Sequence, residues 1–81
     1  MISKPAIADK ILAALAKESK RDVSSLSLDQ TLMGDLGLTS LDALELVFKL
    51  EGEFNLSIPD EDMEKLVTVR DTINYVESRL S

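Results

Sequence analysis

The stretch "DLGLTSLDALEL", residues 35–46, places a glycine-containing turn directly before the first turn of an amphipathic helix. Thr39 can act as the N-cap of that helix, and Asp42 then lies at N3, where its carboxylate can approximate the return contact of a capping box. Ser40 becomes the first helical residue, and its hydroxyl is not needed as a cap. We therefore predict that the Ser40 side chain faces solvent at a helix end that favours an anion.

This second helix is predicted to continue through "SLDALELVFKLEGEF", residues 40–54. Helical periodicity places its apolar residues on one broad stripe. The stripe consists of Leu41, Leu44, Val47, Phe48 and Leu50, with Leu46 widening it. The charged residues of the helix lie elsewhere on its surface.

Flanking patterns predict the rest of the fold. Helix one should cover residues 5–17 with Pro5 in its first turn, and the final helix should begin after Thr68 with Asp71 at N3. A short helix fits within residues 59–66, and no segment has a convincing strand pattern. Residues 18–38 form a long loop pinned to the core by Val23, Leu26, Leu28, Leu32 and Leu36. We predict an all-α, single-domain small bundle spanning residues 1–81, with three longer helices, one short helix and a long loop between helices one and two.

The chain contains no cysteine and no histidine. It therefore lacks a thiolate nucleophile, a sulfur ligand for metals and the commonest general base. Because Ser40 would need a base to act as a nucleophile, we expect a carrier or binding module and not an enzyme, with no catalytic residue and no metal site. Asp9 and Lys10 interrupt the apolar residues of the first segment, which argues against a signal peptide or membrane span and favours a cytoplasmic protein.

Negative charge is concentrated in the middle of the chain. Residues 35–64 contain nine acidic residues and one lysine, which gives −8, whereas the whole chain carries −6. Such a field repels nucleic acid and attracts proteins that present lysine and arginine patches. On charge alone, an acidic face that only keeps the protein soluble is the simpler interpretation.

Four motifs follow one another along the chain: "DLGLTSL" at 35–41, "EGEF" at 51–54, "IPDE" at 58–61 and "TVRD" at 68–71. In this order they resemble the acyl carrier proteins of the bacterial dissociated fatty acid or polyketide type. The likeness extends from helix one through Val76. Such an ordered set is far more specific than a serine at a helix start.

The resemblance implies that Ser40 receives a 4'-phosphopantetheine arm from coenzyme A. A phosphopantetheinyl transferase, the holo-synthase, would attach the arm, and its thiol would carry acyl groups as thioesters. Asp35, Thr39 and Leu41 are the other residues assigned to the cofactor site by their place in the motif. The missing cysteine and histidine are then explained, because the reactive sulfur arrives with the cofactor.

The resemblance also implies a docking surface on helix two and the following acidic cluster. The residues assigned to partner binding are Asp42, Leu44, Glu45, Phe48, Glu51, Asp60 and Glu61, with Leu41 at the edge. The partners would be acyl-transferring and condensing enzymes with basic patches, and the carrier is expected to be a monomer. Leu44 and Phe48 fit the core as well as an interface, so both interpretations stay open.

Three positions depart from the family pattern. Thr39 stands where an aspartate usually precedes the serine, and Lys49 and Gly52 occupy helix positions that are usually acidic or neutral helix formers. These departures suggest a specialised carrier and slower modification. The alternatives are an aminoacyl or peptidyl carrier protein, which shares the helix start, and a non-carrier acidic helical interaction domain.

Overall fold

The computed structural model describes residues 4–80 of the chain. Three α-helices, α1 (Lys4–Ser19), α2 (Ser40–Phe54) and α3 (Val69–Leu80), are joined by segments that contain two 3₁₀ helices, Val23–Ser25 and Asp60–Lys65. The all-α bundle of three longer helices and a short one is confirmed, and Val23–Ser25 adds a single turn inside the long loop. Residues 1–3 and 81 of the predicted domain lie outside the described residues.

Helix α1 ends two residues later than predicted. The Ser19 hydroxyl donates to the carbonyl of Leu15 at 2.7 Å, so this serine stays within the helix. Lys20 then adopts a left-handed conformation with φ 57°, and the Arg21 N–H donates to the carbonyl of Ala16 at 2.9 Å. This is the backbone pattern that commonly ends helices, although glycine usually takes the left-handed position.

All three α-helices and the long loop contribute to one core. Its buried residues are Ile7, Ile11 and Leu15 from α1, Leu32, Leu36 and Leu38 from the loop, Leu46, Val47, Leu50 and Phe54 from α2, Ile58, and Val69, Ile73 and Val76 from α3. Val69, Ile73 and Val76 form the inner face of α3, and Leu80 is partly buried against the cluster.

Only part of the broad apolar stripe of α2 is buried. Leu41 and Phe48 retain 66% and 60% of their surface exposure, whereas Leu46, predicted at the margin, is fully buried. Apolar residues occupy more than half of the helix circumference, and only the side centred on Val47 and Leu50 is buried in the core. Leu41 and Phe48 are seven residues apart, so they share another face that points to solvent.

Backbone hydrogen bonds to α3, in addition to buried leucines, hold the long loop in place. The carbonyls of Leu28 and Gln30 accept the N–H groups of Arg70 and Val69, both at 3.0 Å, and so satisfy the first turn of α3. Thr31 and Thr68 form an isolated antiparallel bridge beside these bonds, the one strand-like feature that the structure shows within residues 4–80.

The apolar residues of the loop agree with the prediction only in part. Leu32 and Leu36 are buried as predicted. Val23 and Leu28 are exposed, so the prediction that these two residues pin the loop is wrong.

Helix α3 begins with the predicted cap and also holds the 3₁₀ helix Asp60–Lys65 in place. Thr68 Oγ1 accepts the N–H of Asp71 at 3.0 Å, and Asp71 Oδ2 accepts the N–H of Thr68 at 3.1 Å. One turn later, the Tyr75 hydroxyl donates to Asp62 Oδ2 at 2.6 Å. None of the helices in the described part of the chain is long and apolar enough to cross a membrane.

Candidate functional site

The N-terminus of α2 has the predicted capping box. Thr39 is extended, with φ −83° and ψ 173°, and its Oγ1 accepts the N–H of Asp42 at 3.1 Å. Asp42 Oδ2 accepts the Thr39 N–H at 3.0 Å, so the shorter aspartate side chain makes the return contact that glutamate usually makes. Ser40 is therefore the first residue of α2, as predicted.

The Ser40 side chain is exposed, and its hydroxyl makes no hydrogen bond to any other part of residues 4–80. The N–H groups of Ser40 and Leu41 belong to the first turn, where a helix has no internal acceptors for them. Together with the helix dipole, these N–H groups favour a phosphate on the serine oxygen. The geometry suits covalent attachment of a phosphate group, and no basic side chain within residues 4–80 is hydrogen-bonded to the Ser40 hydroxyl.

A compact turn in the loop positions the approach to Ser40. Asp35 Oδ2 accepts the N–H of Thr31 at 2.8 Å, while Thr31 Oγ1 accepts the N–H of Asp35 at 2.9 Å. A Cβ at Gly34 would lie 2.7 Å from Thr31 Oγ1, so a side chain there would force this hydroxyl to move. Asp35, predicted at the cofactor site, thus has its carboxylate engaged in the turn that precedes the serine.

Gly37 is the second special position of this approach. It has φ +71°, a conformation that glycine adopts without strain, and it lies between the buried residues Leu36 and Leu38. The N–H of Leu38 donates to the carbonyl of Leu32 at 3.0 Å. Two buried leucines and one backbone bond therefore anchor the chain just before Thr39.

Residues predicted to bind partners are divided between solvent and structural contacts. Leu41, Glu45 and Phe48 are exposed on α2, and Asp60 and Glu61 are exposed at the start of the second 3₁₀ helix. Leu44 is half-buried beside them. Because Phe48 is exposed, the core interpretation is wrong for this residue, and its role in partner binding stays a prediction.

Glu51 has a structural contact that the sequence did not indicate. Its Oε2 accepts the N–H of Ile58 at 2.9 Å, and the residue is half-buried. Because Ile58 precedes Pro59 and is itself buried, this bond ties α2 to the segment that leads into the Asp60–Lys65 helix. The carboxylate of Glu51 is less accessible to a partner than that of Glu45.

A cluster of charges connects the end of α1 with the first turns of α2. Carboxylate oxygens of Glu18, Asp42 and Glu45 lie within 4.8 Å of one another. Lys49 Nζ lies 2.8 Å from Glu18 Oε1, whose side chain is only 9% exposed. Lys49 therefore offsets repulsion among these carboxylates, a role that was missed because Glu18 was assigned to the loop.

The contact between Tyr75 and Asp62 perturbs both groups. The hydrogen bond from Tyr75, followed by one from Lys65, lowers the pKa of Asp62 below its usual 3.8. Burial, followed by the bond to Asp62, raises the pKa of Tyr75 above its usual 10.0. Arg79 Nη1 also donates to the Tyr75 hydroxyl at 2.7 Å. This network joins the second 3₁₀ helix to α3.

Comparison with known families agrees with the site geometry. The family described as "Phosphopantetheine attachment site" matches residues 9–76, which include α2 and the capping box around Ser40. The fold and site thus define a phosphopantetheine-bearing carrier domain, and no catalytic group is required of the chain itself.

The relatives are more specific. The chain is 38% identical to an acyl carrier protein of Exiguobacterium sp. over 79 residues, covering 98% of this chain and 100% of the relative. It is 36% identical to an acyl carrier protein of Campylobacter jejuni subsp. doylei over 70 residues, covering 86% and 91% respectively. The chain therefore belongs to the acyl carrier protein family. Its role is that of a carrier and not an enzyme, its prosthetic group is a covalently attached 4'-phosphopantetheine, and its partners are the synthase that attaches this group and biosynthetic enzymes.

Proposed function

We propose that Ser40 is the attachment residue and that the chain carries acyl groups between enzymes of fatty acid, polyketide or related lipid synthesis. The observation that carries this proposal is the exposed, unbonded hydroxyl at the first residue of α2. When bound, the arm supplies a terminal thiol that holds acyl groups as thioesters. The protein's own contribution is to hold the phosphate end of the arm: the first-turn N–H groups and the helix dipole stabilise its charge.

The capping box and the preceding turn keep this position fixed. Thr39 and Asp42 define where α2 begins, and Gly37 with its two buried neighbours holds the incoming chain. A transferase that approaches Ser40 therefore meets a preformed helix end, so little ordering of the loop opposes binding.

The exposed side of α2 supports a docking function for this helix. Leu41 and Phe48 offer apolar surface, and Glu45 lies exposed on the same helix. Asp60 and Glu61 extend the acidic character beyond α2. We assign this combined surface to basic patches on the transferase and on acyl-transferring and condensing enzymes, with the charges acting mainly on the association rate. We propose that the carrier is monomeric and works in the cytoplasm.

Two of the three departures from the family pattern, Thr39 and Gly52, remain as support for a specialised carrier. Lys49 has a structural reason to be present, since it pairs with Glu18. Thr39 preserves the cap but lacks the carboxylate that the family usually has before the serine. Gly52 has no neighbour within 4 Å that would exclude a side chain. We therefore base specialisation on Thr39 and Gly52.

The proposal is tested by mass spectrometry of the intact protein after incubation with coenzyme A, magnesium and a broad-specificity phosphopantetheinyl transferase. We expect a gain of one phosphopantetheine mass in the wild-type chain and none in Ser40→Ala. Ser57→Ala is the matched control, because Ser57 is also exposed but lies outside the α2 helix start. Loading that persists in Ser40→Ala would assign the arm to another serine, and no loading of wild type by several transferases would contradict the carrier function.

A further inference from the structure

A surface groove of about 420 Å³ lies between α1 and α2. Ala13 and Gly52 line it with almost no side-chain bulk, and Phe48 also lines it. A side chain at Gly52 would extend into open space, because no atom lies within 4 Å of the position of its Cβ. The volume lies within the range of pockets that accommodate a small organic group.

Charge in this groove is opposite to that of the central acidic segment. Three lysines, Lys10, Lys17 and Lys49, line it against a single glutamate, Glu53. Lys10 pairs with Glu53 at 2.9 Å, and Lys49 pairs with Glu18 at 2.8 Å. Lys17 is exposed and forms no ion pair within the described residues, so its ammonium group is available to an anion from outside.

The groove is continuous with the docking surface proposed above, because Phe48 belongs to both. The groove also contains Lys49 and Gly52 of α2. Lys49 contributes positive charge, and Gly52 leaves space that a larger residue would fill. Positive charge and open space therefore lie next to an exposed aromatic ring.

We propose that the groove receives an apolar side chain flanked by carboxylates on a partner enzyme. The apolar side chain would contact Phe48 and Ala13 above Gly52, and a carboxylate would pair with Lys17. This inference rests on the proposed docking of partners along α2, and it adds a contact of opposite sign. A partner would then need a basic patch facing Glu45 and an acidic, apolar element facing the groove, which restricts the choice of partner.

Two blocked peptides test the chemistry of the groove directly. One has the sequence Glu-Leu-Phe-Leu-Glu, and the other has the same apolar centre with lysine at both ends. Each is titrated into the ¹⁵N-labelled full chain while backbone amide shifts are followed by NMR. We expect the acidic peptide to shift amides within residues 10–17 and 48–53 in a saturable manner, and the basic peptide to leave these amides unchanged.

Variants separate the groove from general charge effects. Lys17→Glu should weaken the acidic peptide about three- to fivefold by replacing an attractive charge with a repulsive one, and Gly52→Leu should weaken it by filling the space. Lys20→Glu makes the same charge change at an exposed lysine outside the groove and should have little effect. Thermal unfolding of each variant establishes that it is folded.

The proposal is overturned if the acidic peptide binds the groove no better than the basic one. It is also overturned if folded Lys17→Glu and Gly52→Leu both bind like wild type. Loading of Ser40 is measured on the same samples, because it tests the carrier function independently. Normal loading without groove binding would reject this inference alone, whereas groove binding without loading would reject the carrier proposal alone.

Discussion

Thr39 and Asp42 satisfy each other's backbone N–H groups at 3.1 and 3.0 Å, and this exchange sets the position of Ser40 between them. An uncharged threonine is sufficient for the cap because the hydroxyl is the hydrogen-bond acceptor. The carboxylate that the resemblance to the family implies at this position would therefore contribute something other than helix stability. Attraction of a basic transferase is the contribution that the proposed docking surface suggests.

Thr39→Asp should therefore separate the two roles. Aspartate is as good an N-cap as threonine, so we expect the free energy of unfolding to change by less than about 0.5 kcal/mol. The rate of Ser40 loading should rise about two- to fivefold at low salt, and the gain should diminish as salt screens the added charge. Thr39→Ala serves as the control for the cap and should lose about 1 kcal/mol of stability. A loading rate that is unchanged in Thr39→Asp at every salt concentration would reject the electrostatic role.

Lys49→Gln tests the charge cluster at the end of α1. The substitution leaves the nearly buried Glu18 close to Asp42 and Glu45, so we expect stability to fall by about 1–2 kcal/mol, measured by urea unfolding. Added salt should recover part of the loss. Lys10→Gln is the matched control, because its partner Glu53 is half-exposed and the pair should contribute less than about 0.5 kcal/mol. Equal losses of stability in the two variants would show that Lys49 contributes no more than the lysine of an ordinary surface ion pair.

The two glycines Gly37 and Gly52 should respond to alanine in opposite directions. Gly37→Ala forces a side chain into φ +71° just before the site, and we expect a loss of about 1–2 kcal/mol. Gly52→Ala removes a flexible residue from a helix without a clash, and we expect a gain of about 0.5–1 kcal/mol. Thermal unfolding measures both. Destabilisation by Gly52→Ala would indicate that the backbone of α2 needs glycine there.

Local chemistry made both helix starts predictable from the sequence. A threonine followed three residues later by aspartate supplies its own hydrogen bonds, so Thr39 with Asp42 and Thr68 with Asp71 could be assigned without knowledge of the fold. Burial on α2 was not predictable in the same way. With apolar residues around more than half of the helix, the packing of the whole bundle decides that Leu46 is buried and Phe48 is not.

Contacts between distant segments were also missed for a physical reason. Nothing near Glu18 in the sequence indicates that it pairs with Lys49, because α1 was expected to end before it. The loop carbonyls that cap α3 could not be identified from the sequence either, because every residue has a carbonyl. The charge cluster and the loop contacts thus depend on the tertiary arrangement.

Tyr75→Phe should change the way in which the free energy of unfolding varies with pH. The pKa of Asp62 is lowered in the folded state, chiefly by the hydrogen bond from Tyr75, so this contact stabilises the fold above the ordinary pKa of 3.8 and is lost as the pH falls through the lowered value. Tyr75→Phe should therefore be destabilising near neutral pH, and its difference from wild type should shrink as the pH falls below 3.8.

At alkaline pH the ionisation of Tyr75 itself makes stability fall as the pH rises. The pKa of Tyr75 is raised, first by burial, so the folded state favours the neutral phenol. The wild type should therefore lose stability as the pH rises above 10.0. Tyr75→Phe has no phenol to ionise and should not show this loss. Urea unfolding measured across both pH ranges gives the two curves. Asp62→Asn is the control, since it keeps an acceptor for the Tyr75 hydroxyl and removes the acidic titration. A constant difference between wild type and Tyr75→Phe at every pH would show that the bond between Tyr75 and Asp62 does not link the second 3₁₀ helix to α3 in solution.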